Sequence, residues 1–356
     1  MKVMTVIGAR PQFVKAASLS RALRPHLQEI LVHTGQHYDR NMSAVFFDQL
    51  RLPEPDYYLG IGSGTHGRQT ARMLEQIEEL CLKELPDLVL VYGDTNSTLA
   101  GSLAASKLHI PIAHVESGLR SFNRRMPEEI NRVLTDHLST LLFCPTQAAV
   151  ANLKRESITN GVYLSGDVMY DTVLYYKEVS GKQSKILQTL RLIPKTYYLA
   201  TIHRAENTTD RNSLEQMILT LQSLGYPVVM PLHPRTKKLI ADFHLDSLID
   251  PSVLRIIEPL PYLDMLALEC QAKLILTDSG GVQKEAYMLQ VPCITLRSET
   301  EWIETVQEGW NHVTGMVSDQ VRQTIANLTV PEQSAPVFGQ GDASERIAEV
   351  LCSFLT

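Results

Sequence analysis

"LILTDSGGVQKEA", Leu274 to Ala286, is the stretch on which the reading of this chain turns. A short apolar run stops at Asp278, turns through Ser279-Gly280-Gly281 and passes into a helical pattern. A buried strand feeding a helix through a glycine turn is the repeating unit of a parallel α/β sheet. The turn aims the free N–H groups of the helix start at whatever lies above it, and those groups favour an anion. Two adjacent glycines let a ligand approach the backbone closely, and Ser279 serves either as helix cap or as phosphate donor.

Outward from this stretch the same unit recurs. "KVMTVIG" precedes the helical "PQFVKAASLSRAL", and "EILVHTG" follows. "DLVLVYGD" precedes "NSTLAGSLAASKL", then come "IPIAHVES" and "TLLFCPT". These runs are apolar on both sides, as in a parallel sheet covered by helices. The pattern restarts with "YYLATIH", "PVVMPLHP", "VLRIIEPL", "AKLILTD" and "VPCITLR". Between the two sets, Tyr176 to Ile186 is polar and lacks a strand pattern, so a boundary falls there or slightly before. The expected fold is α/β: two Rossmann-like doubly wound domains facing a cleft, spanning residues 1–170 and 171–340.

Composition fits that division. A chain of 356 residues accommodates two domains of ordinary size, and 44% hydrophobic with 20% charged residues is typical of a globular protein. The five cysteines are scattered with no C-x-x-C pair, which indicates buried thiols in a reducing compartment and no metal cluster. The N-terminal apolar run is better read as a strand than as a signal peptide, and no apolar stretch approaches the roughly 18 residues of a membrane span. The expectation is a cytoplasmic protein without membrane insertion. A net charge of −6 argues against nucleic acid as a partner, so any anionic ligand must be met by local cations.

Ligands of open parallel sheets collect beyond the carboxyl ends of the strands. Nearly every strand predicted here finishes on an ionisable group: Arg10 with Lys15 beyond it, Asp94, Glu116, His203, His233 and Asp278. Local readings compete with function. Asp94 before Thr95-Asn96-Ser97 reads equally as a helix cap, and Glu128 reads as a helix-start acid paired with Arg132. Glu116 has no such alternative, because "HVESGLRS" opens no obvious helix. Glu285 is placed to accept bonds from a sugar's hydroxyls. "GARPQF" holds one glycine and is not the dinucleotide fingerprint, and no Walker A sequence occurs. No bound redox cofactor is implied. With cations on one half and strand-end histidines on the other, these residues point to a diphosphate-linked sugar.

Together, "GARPQFVKAA", "TGQH", "VYGDTNSTLAGSLAA", "HVESGLRS", "PEEINR", "TIHRAEN", "HPRT" and "TDSGGVQKEA" resemble the non-hydrolysing UDP-N-acetylglucosamine 2-epimerase family, in the family's order. The resemblance implies a glycosyltransferase-B-like fold whose last helix, within residues 341–356, returns to the first domain. It implies that Arg10 and Lys15 lie at the sugar-nucleotide site. Asp94, Glu116 and Glu128 would be the acid–base carboxylates, His203 would stand near the diphosphate, and Arg132 would be a further active-site residue. Ser279, Gly280, Gly281 and Glu285 would hold phosphate and ribose. A homodimer and a UDP-linked N-acetylhexosamine substrate are likewise implied. His37 falls where some bacterial members place an allosteric substrate site, with different flanking residues.

Two departures bear on the substrate. The segment between Glu116 and Glu128 is shorter than usual, and Trp302 stands where the plain UDP-N-acetylglucosamine enzymes carry a substrate-binding arginine. "RSFNRRMPEEINR" and "TEWIET" resemble instead a branch acting on modified sugars such as UDP-2,3-diacetamido-2,3-dideoxyglucuronate. Arg124 and Arg125 would suit a uronate carboxylate there; a solvated loop is the alternative. Competing functions are a hydrolysing epimerase, a glycosyltransferase of the same fold, and a non-catalytic sugar-nucleotide sensor.

Overall fold

The computed structural model describes residues 1–36, 47, 49–232 and 234–356; His37 and His233 lie outside them. The chain forms two compact units, Met1–Leu174 with Pro336–Thr356, and Tyr175–Ala335.

The first unit holds β1 (Lys2–Ile7), β2 (Gln28–His33), β3 (Tyr57–Tyr58), β4 (Leu88–Tyr92), β5 (Ile112–Val115), β6 (Leu141–Cys144) and β7 (Val162–Leu164). They pair in the order β3-β2-β1-β4-β5-β6-β7, and every pairing is parallel. The second unit holds β8 (Tyr198–Thr201), β9 (Val228–Pro231), β10 (Leu254–Ile257), β11 (Leu274–Thr277), β12 (Cys293–Thr295) and β13 (Asn311–Val313). Their order, β10-β9-β8-β11-β12-β13, is again wholly parallel. Each sheet therefore reverses its strand order once, between β1 and β4 and between β8 and β11. Those reversals leave a crevice where helices depart to opposite faces, the usual ligand position in such sheets.

Apolar runs become strands because both faces are covered. Met4, Val6, Val32, Val89 and Val91 pack with Ala100 and Ala104 in the first unit. Ala200, Met230, Leu276 and Ile294 pack with Leu214 and Ile218 in the second. All five cysteines are free, and burial pushes the Cys81 thiol up to about 11. Among the described residues no helix is long and apolar enough to cross a membrane.

Three strands escaped the sequence reading: β3, β7 and β13, each of two or three residues at or beside a sheet edge. They are too short to show any period. The polar Tyr176–Ile186 stretch is largely the second half of a helix, Val168–Gln183, and the division between units falls inside that helix. The last helix, Ala343–Leu355, packs against helix Arg10–Leu23 of the first unit. Asp171 caps its start, accepting from the N–H groups of Ala343 (3.2 Å) and Ser344 (2.7 Å).

Candidate active site

In the first unit the site is built on the β1/β4 reversal. Gln12, on the helix leaving β1, accepts from the backbone N–H groups of Gly8 (2.8 Å) and Ala9 (3.0 Å). Its amide donates to the carbonyl of Tyr92 (2.9 Å), so one side chain ties the turn after β1 to the end of β4. Gly8 cannot be larger, because a Cβ there would lie 2.0 Å from Thr34 Oγ1 and 2.3 Å from Ser97 Oγ.

Two ion pairs occupy the crevice. The Lys15 ammonium is paired with the Glu116 carboxylate, both buried. Arg132 reaches back from helix Pro127–Leu138 to Asp94, Nη2 to Oδ2 at 2.6 Å. Although 25% of the Asp94 side-chain surface stays accessible, its crowded surroundings govern it. Burial pushes its carboxyl above the ordinary range, Arg132 and Lys15 oppose that, and Glu116 and Glu128 add to it. Two neighbouring carboxyl groups, each held by its own cation and one of them raised, are the arrangement an acid and a base require.

A buried network holds the loops that carry these groups. His114, in β5, has its Nδ1 2.7 Å from Asp136 Oδ1 and its Nε2 2.7 Å from the Gly93 carbonyl. Asp136 also accepts from Gly118 N–H (3.1 Å) and Arg120 Nη1 (2.7 Å). Glu116 itself adopts φ +70° and Gly118 φ +80°, so the chain bends sharply as it leaves β5. That bend turns the Glu116 carboxylate toward Lys15, and Asp136 pins it from behind. Glu129 is the buried acid of "PEE", accepting from Ser121 and Phe122 N–H groups, while Glu128 is exposed on the same first turn.

In the second unit the β8/β11 reversal gathers His203, Asp278 and the Ser-Gly-Gly turn. Asp278 is wholly buried and accepts from His203 N–H (3.2 Å), Arg204 N–H (3.0 Å) and Asn207 Nδ2 (2.9 Å). Burial works against its charge, yet the bonds from His203, Asn207 and Arg204 hold it below the usual carboxylate range. Its Oδ1 lies 3.2 Å from His203 Nδ1, leaving the outer edge of a half-exposed imidazole accessible. Helix Gly280–Met288 begins at the turn, and the Ser279 side chain makes no cap bond. Of the two roles open to Ser279, the capping one is therefore unused. Glu301 and Trp302 press against the turn: a Cβ on Gly280 would lie 2.3 Å from Glu301 Oε1 and 3.3 Å from Trp302 Nε1. Trp302 is buried beneath the Lys284 ammonium, 4.3 Å from its ring centre. Glu285 is buried further along the helix, and burial pushes its carboxyl up to about 7.

The structure thus brings Lys15, Asp94, Glu116 and Arg132 together, with Arg10 opening the helix beside them and Glu128 on the rim. In the second unit it brings together His203, Ser279, Gly280 and Gly281, with Glu285 beneath. Two local readings are corrected. Thr95, not Asp94, caps helix Asn96–Lys107, accepting from Thr98 N–H. Arg132 turns to Asp94 and to Glu129 (3.3 Å). Gln12, His114 and Asp136 were missed as supports. Asp278 was visible at its strand end; the others gave no local signal.

The profile of the UDP-N-acetylglucosamine 2-epimerase family matches residues 21–352. A UDP-N-acetylglucosamine 2-epimerase homolog of Methanococcus maripaludis is 53% identical, covering 99% of both chains. UDP-2,3-diacetamido-2,3-dideoxy-D-glucuronate 2-epimerase of Pseudomonas aeruginosa is 48% identical, again over 99% of each. The crystal structure of Methanocaldococcus jannaschii UDP-GlcNAc 2-epimerase in complex with UDP-GlcNAc and UDP superposes with a TM-score of 0.92 at 44% identity, covering 99% of this chain and 100% of that one. The fold is that of a two-domain α/β isomerase. This chain belongs to the UDP-N-acetylglucosamine 2-epimerase family.

Proposed function

We propose that the protein is a non-hydrolysing 2-epimerase of a UDP-linked N-acetylhexosamine, acting in the cytoplasm. The observation that carries this reading is the pairing of Glu116 with Lys15 beside a raised Asp94 at one strand-order reversal. Inverting C2 requires a base to remove its proton and an acid to return one to the opposite face. As C2–H is broken, the C1–oxygen bond to UDP breaks and a 2-acetamidoglucal forms. UDP then attacks C1 again as C2 is protonated on the other side. Glu116 and Asp94 fit the acid–base roles, with Glu128 at the rim. His203, Arg10 and the Ser279-Gly280-Gly281 turn fit the diphosphate, whose developing charge must be neutralised. Glu285 fits the ribose.

Purified protein with UDP-N-acetylglucosamine in D₂O, followed by NMR, tests this. The expected product is the manno epimer, still UDP-linked and deuterated at C2. Free UDP with free N-acetylmannosamine would replace this reading by a hydrolysing enzyme. UDP binding without turnover of any UDP-amino sugar would leave a sensor.

The buried Trp302 favours a second reading of the substrate. It brings no charge to the position of the family's substrate-binding arginine, while Arg124 and Arg125 are exposed. A modified sugar such as UDP-2,3-diacetamido-2,3-dideoxyglucuronate fits that change. Side-by-side turnover decides it, and clear preference for UDP-N-acetylglucosamine would end the modified-sugar reading. A homodimer belongs to the same proposal: Ile130 and Leu134 expose 46% and 45% of their surface one turn apart on helix Pro127–Leu138. Light scattering should give twice the mass of one chain; a monomer at micromolar concentration would overturn it.

A further inference from the structure

At the pole of the second sheet opposite the strand ends that carry His203 and Asp278 lies a cavity of about 770 Å³, lined wholly by residues of the second unit. It sits at the amino ends of the strands: Tyr198 is the first residue of β8 and Leu274 the first of β11. Its floor is apolar. Leu224 and Leu274 are buried, and Ile325 and Leu328 pack half-buried against the core of the second unit. Three cations line it, Lys195, Lys273 and Arg322, and none of its lining residues is a carboxylate. In a chain of net charge −6 such a local excess of positive charge favours an anion.

Two of the cations are anchored on neutral groups. The Lys273 ammonium lies 3.9 Å over the Tyr226 ring and donates to its hydroxyl, and Tyr226 in turn stacks on Tyr198 at 4.9 Å. Lys195, held in the left-handed conformation at φ +61°, donates to the carbonyls of Cys270 and Ala272, each at 2.9 Å. Neither anchor uses all three N–H donors of an ammonium. Among the described residues neither lysine has an ion-pair partner, whereas Arg322 pairs with Asp319. Small-molecule sites occupy about 300–1,000 Å³ and combine an apolar lining with a few placed polar groups, the make-up found here.

We propose that this cavity is a ligand site separate from the strand-end crevice, and that it takes a small amphipathic anion. An apolar body rests on Leu224, Leu274 and Leu328, and a phosphate or carboxylate head meets Lys273 and Lys195. Ammonium groups already held in place lose little further freedom on meeting the head, and the apolar floor rewards a body that an inorganic anion lacks. Arg322, half-exposed and already paired, adds field and little contact energy.

Calorimetric titration of 1-naphthyl phosphate and octyl phosphate into the full-length protein tests the site, with 1-naphthol, 1-octanol and inorganic phosphate as the same bodies and head taken apart. At least one ester should bind once per chain and roughly tenfold more tightly than any fragment, tenfold being the worth of one charge-assisted hydrogen bond. Which ester binds identifies the body as aromatic, aliphatic or either. Lys273→Met should weaken that binding by about tenfold. Ala326 lines the cavity at the end of helix Ser318–Ala326, so Ala326→Trp fills it without removing a polar side chain and should abolish binding. Both side chains are exposed, so both variants should fold. Saturating UDP should leave the affinity unchanged. An alcohol or inorganic phosphate that binds as tightly as the ester, no ester binding at about 1 mM, or binding unchanged in either variant overturns the proposal. Loss of binding under UDP would place the probe in the strand-end crevice and overturn it equally.

Discussion

Glu116→Gln is expected to abolish measurable turnover while UDP still binds. The substitution keeps size and a carbonyl acceptor but removes the base, an effect of about 10²–10⁴-fold in kcat for a positioned acid–base group. UDP binding should survive, because the turn assigned to the diphosphate lies in the other unit, on the β8/β11 reversal. The variant also strips Lys15 of its buried counter-charge. Breaking one side of such a pair costs up to about 3–5 kcal/mol, so stability must be measured alongside rate. In the double variant Lys15→Met with Glu116→Gln no unpaired charge remains, and melting temperature should recover while turnover stays absent. Initial rates of C2 exchange in D₂O, with calorimetric UDP titration, give the readout. Near-wild-type exchange in Glu116→Gln would remove this residue from the mechanism.

Asp136→Ala should have the largest effect on stability. It leaves Arg120, Gly118 N–H and His114 without their shared acceptor in a site with no access to water. The expected loss is about 3–5 kcal/mol, confined to the first unit and seen as a lowered calorimetric transition. Turnover should fall too, since Gly93 beside Asp94 and the bend bearing Glu116 are both held through this network. Its pH dependence has a definite sign. Burial opposes the Asp136 charge, but His114 and Arg120 overcome it and hold the carboxyl below its usual range. That stabilisation is present above the unfolded value of about 3.9 and is lost as pH falls through the folded value. The gap between wild type and variant should therefore be widest near neutrality and narrow below about pH 4. A constant gap across that range would mean that Asp136 contributes packing alone.

Sites at strand ends were legible because a parallel α/β sheet places its ligands there whatever the sequence, so an ionisable residue after each apolar run already marks the crevice. Asp94, Glu116, His203 and Asp278 were found in this way. Trp302 illustrates the opposite case. The sequence shows that a tryptophan stands at its position, whereas its burial against Gly280 and beneath Lys284 comes from packing.

What the sequence alone determined was the alternation of doubly apolar runs with helical patterns, the restart after the first set, and the ordered motifs of one family. Those are local properties, set by a strand's period and a helix's period along a few consecutive residues. Tertiary structure decided which charge meets which. Lys15 meets Glu116 across 101 residues, and Arg132 prefers Asp94, 38 residues away, to the Glu128 that local spacing favoured. It also decided that Glu129, not its neighbour Glu128, is buried. Such pairings depend on how strands are ordered in the sheet and how helices cross it, and no short window of sequence carries that order.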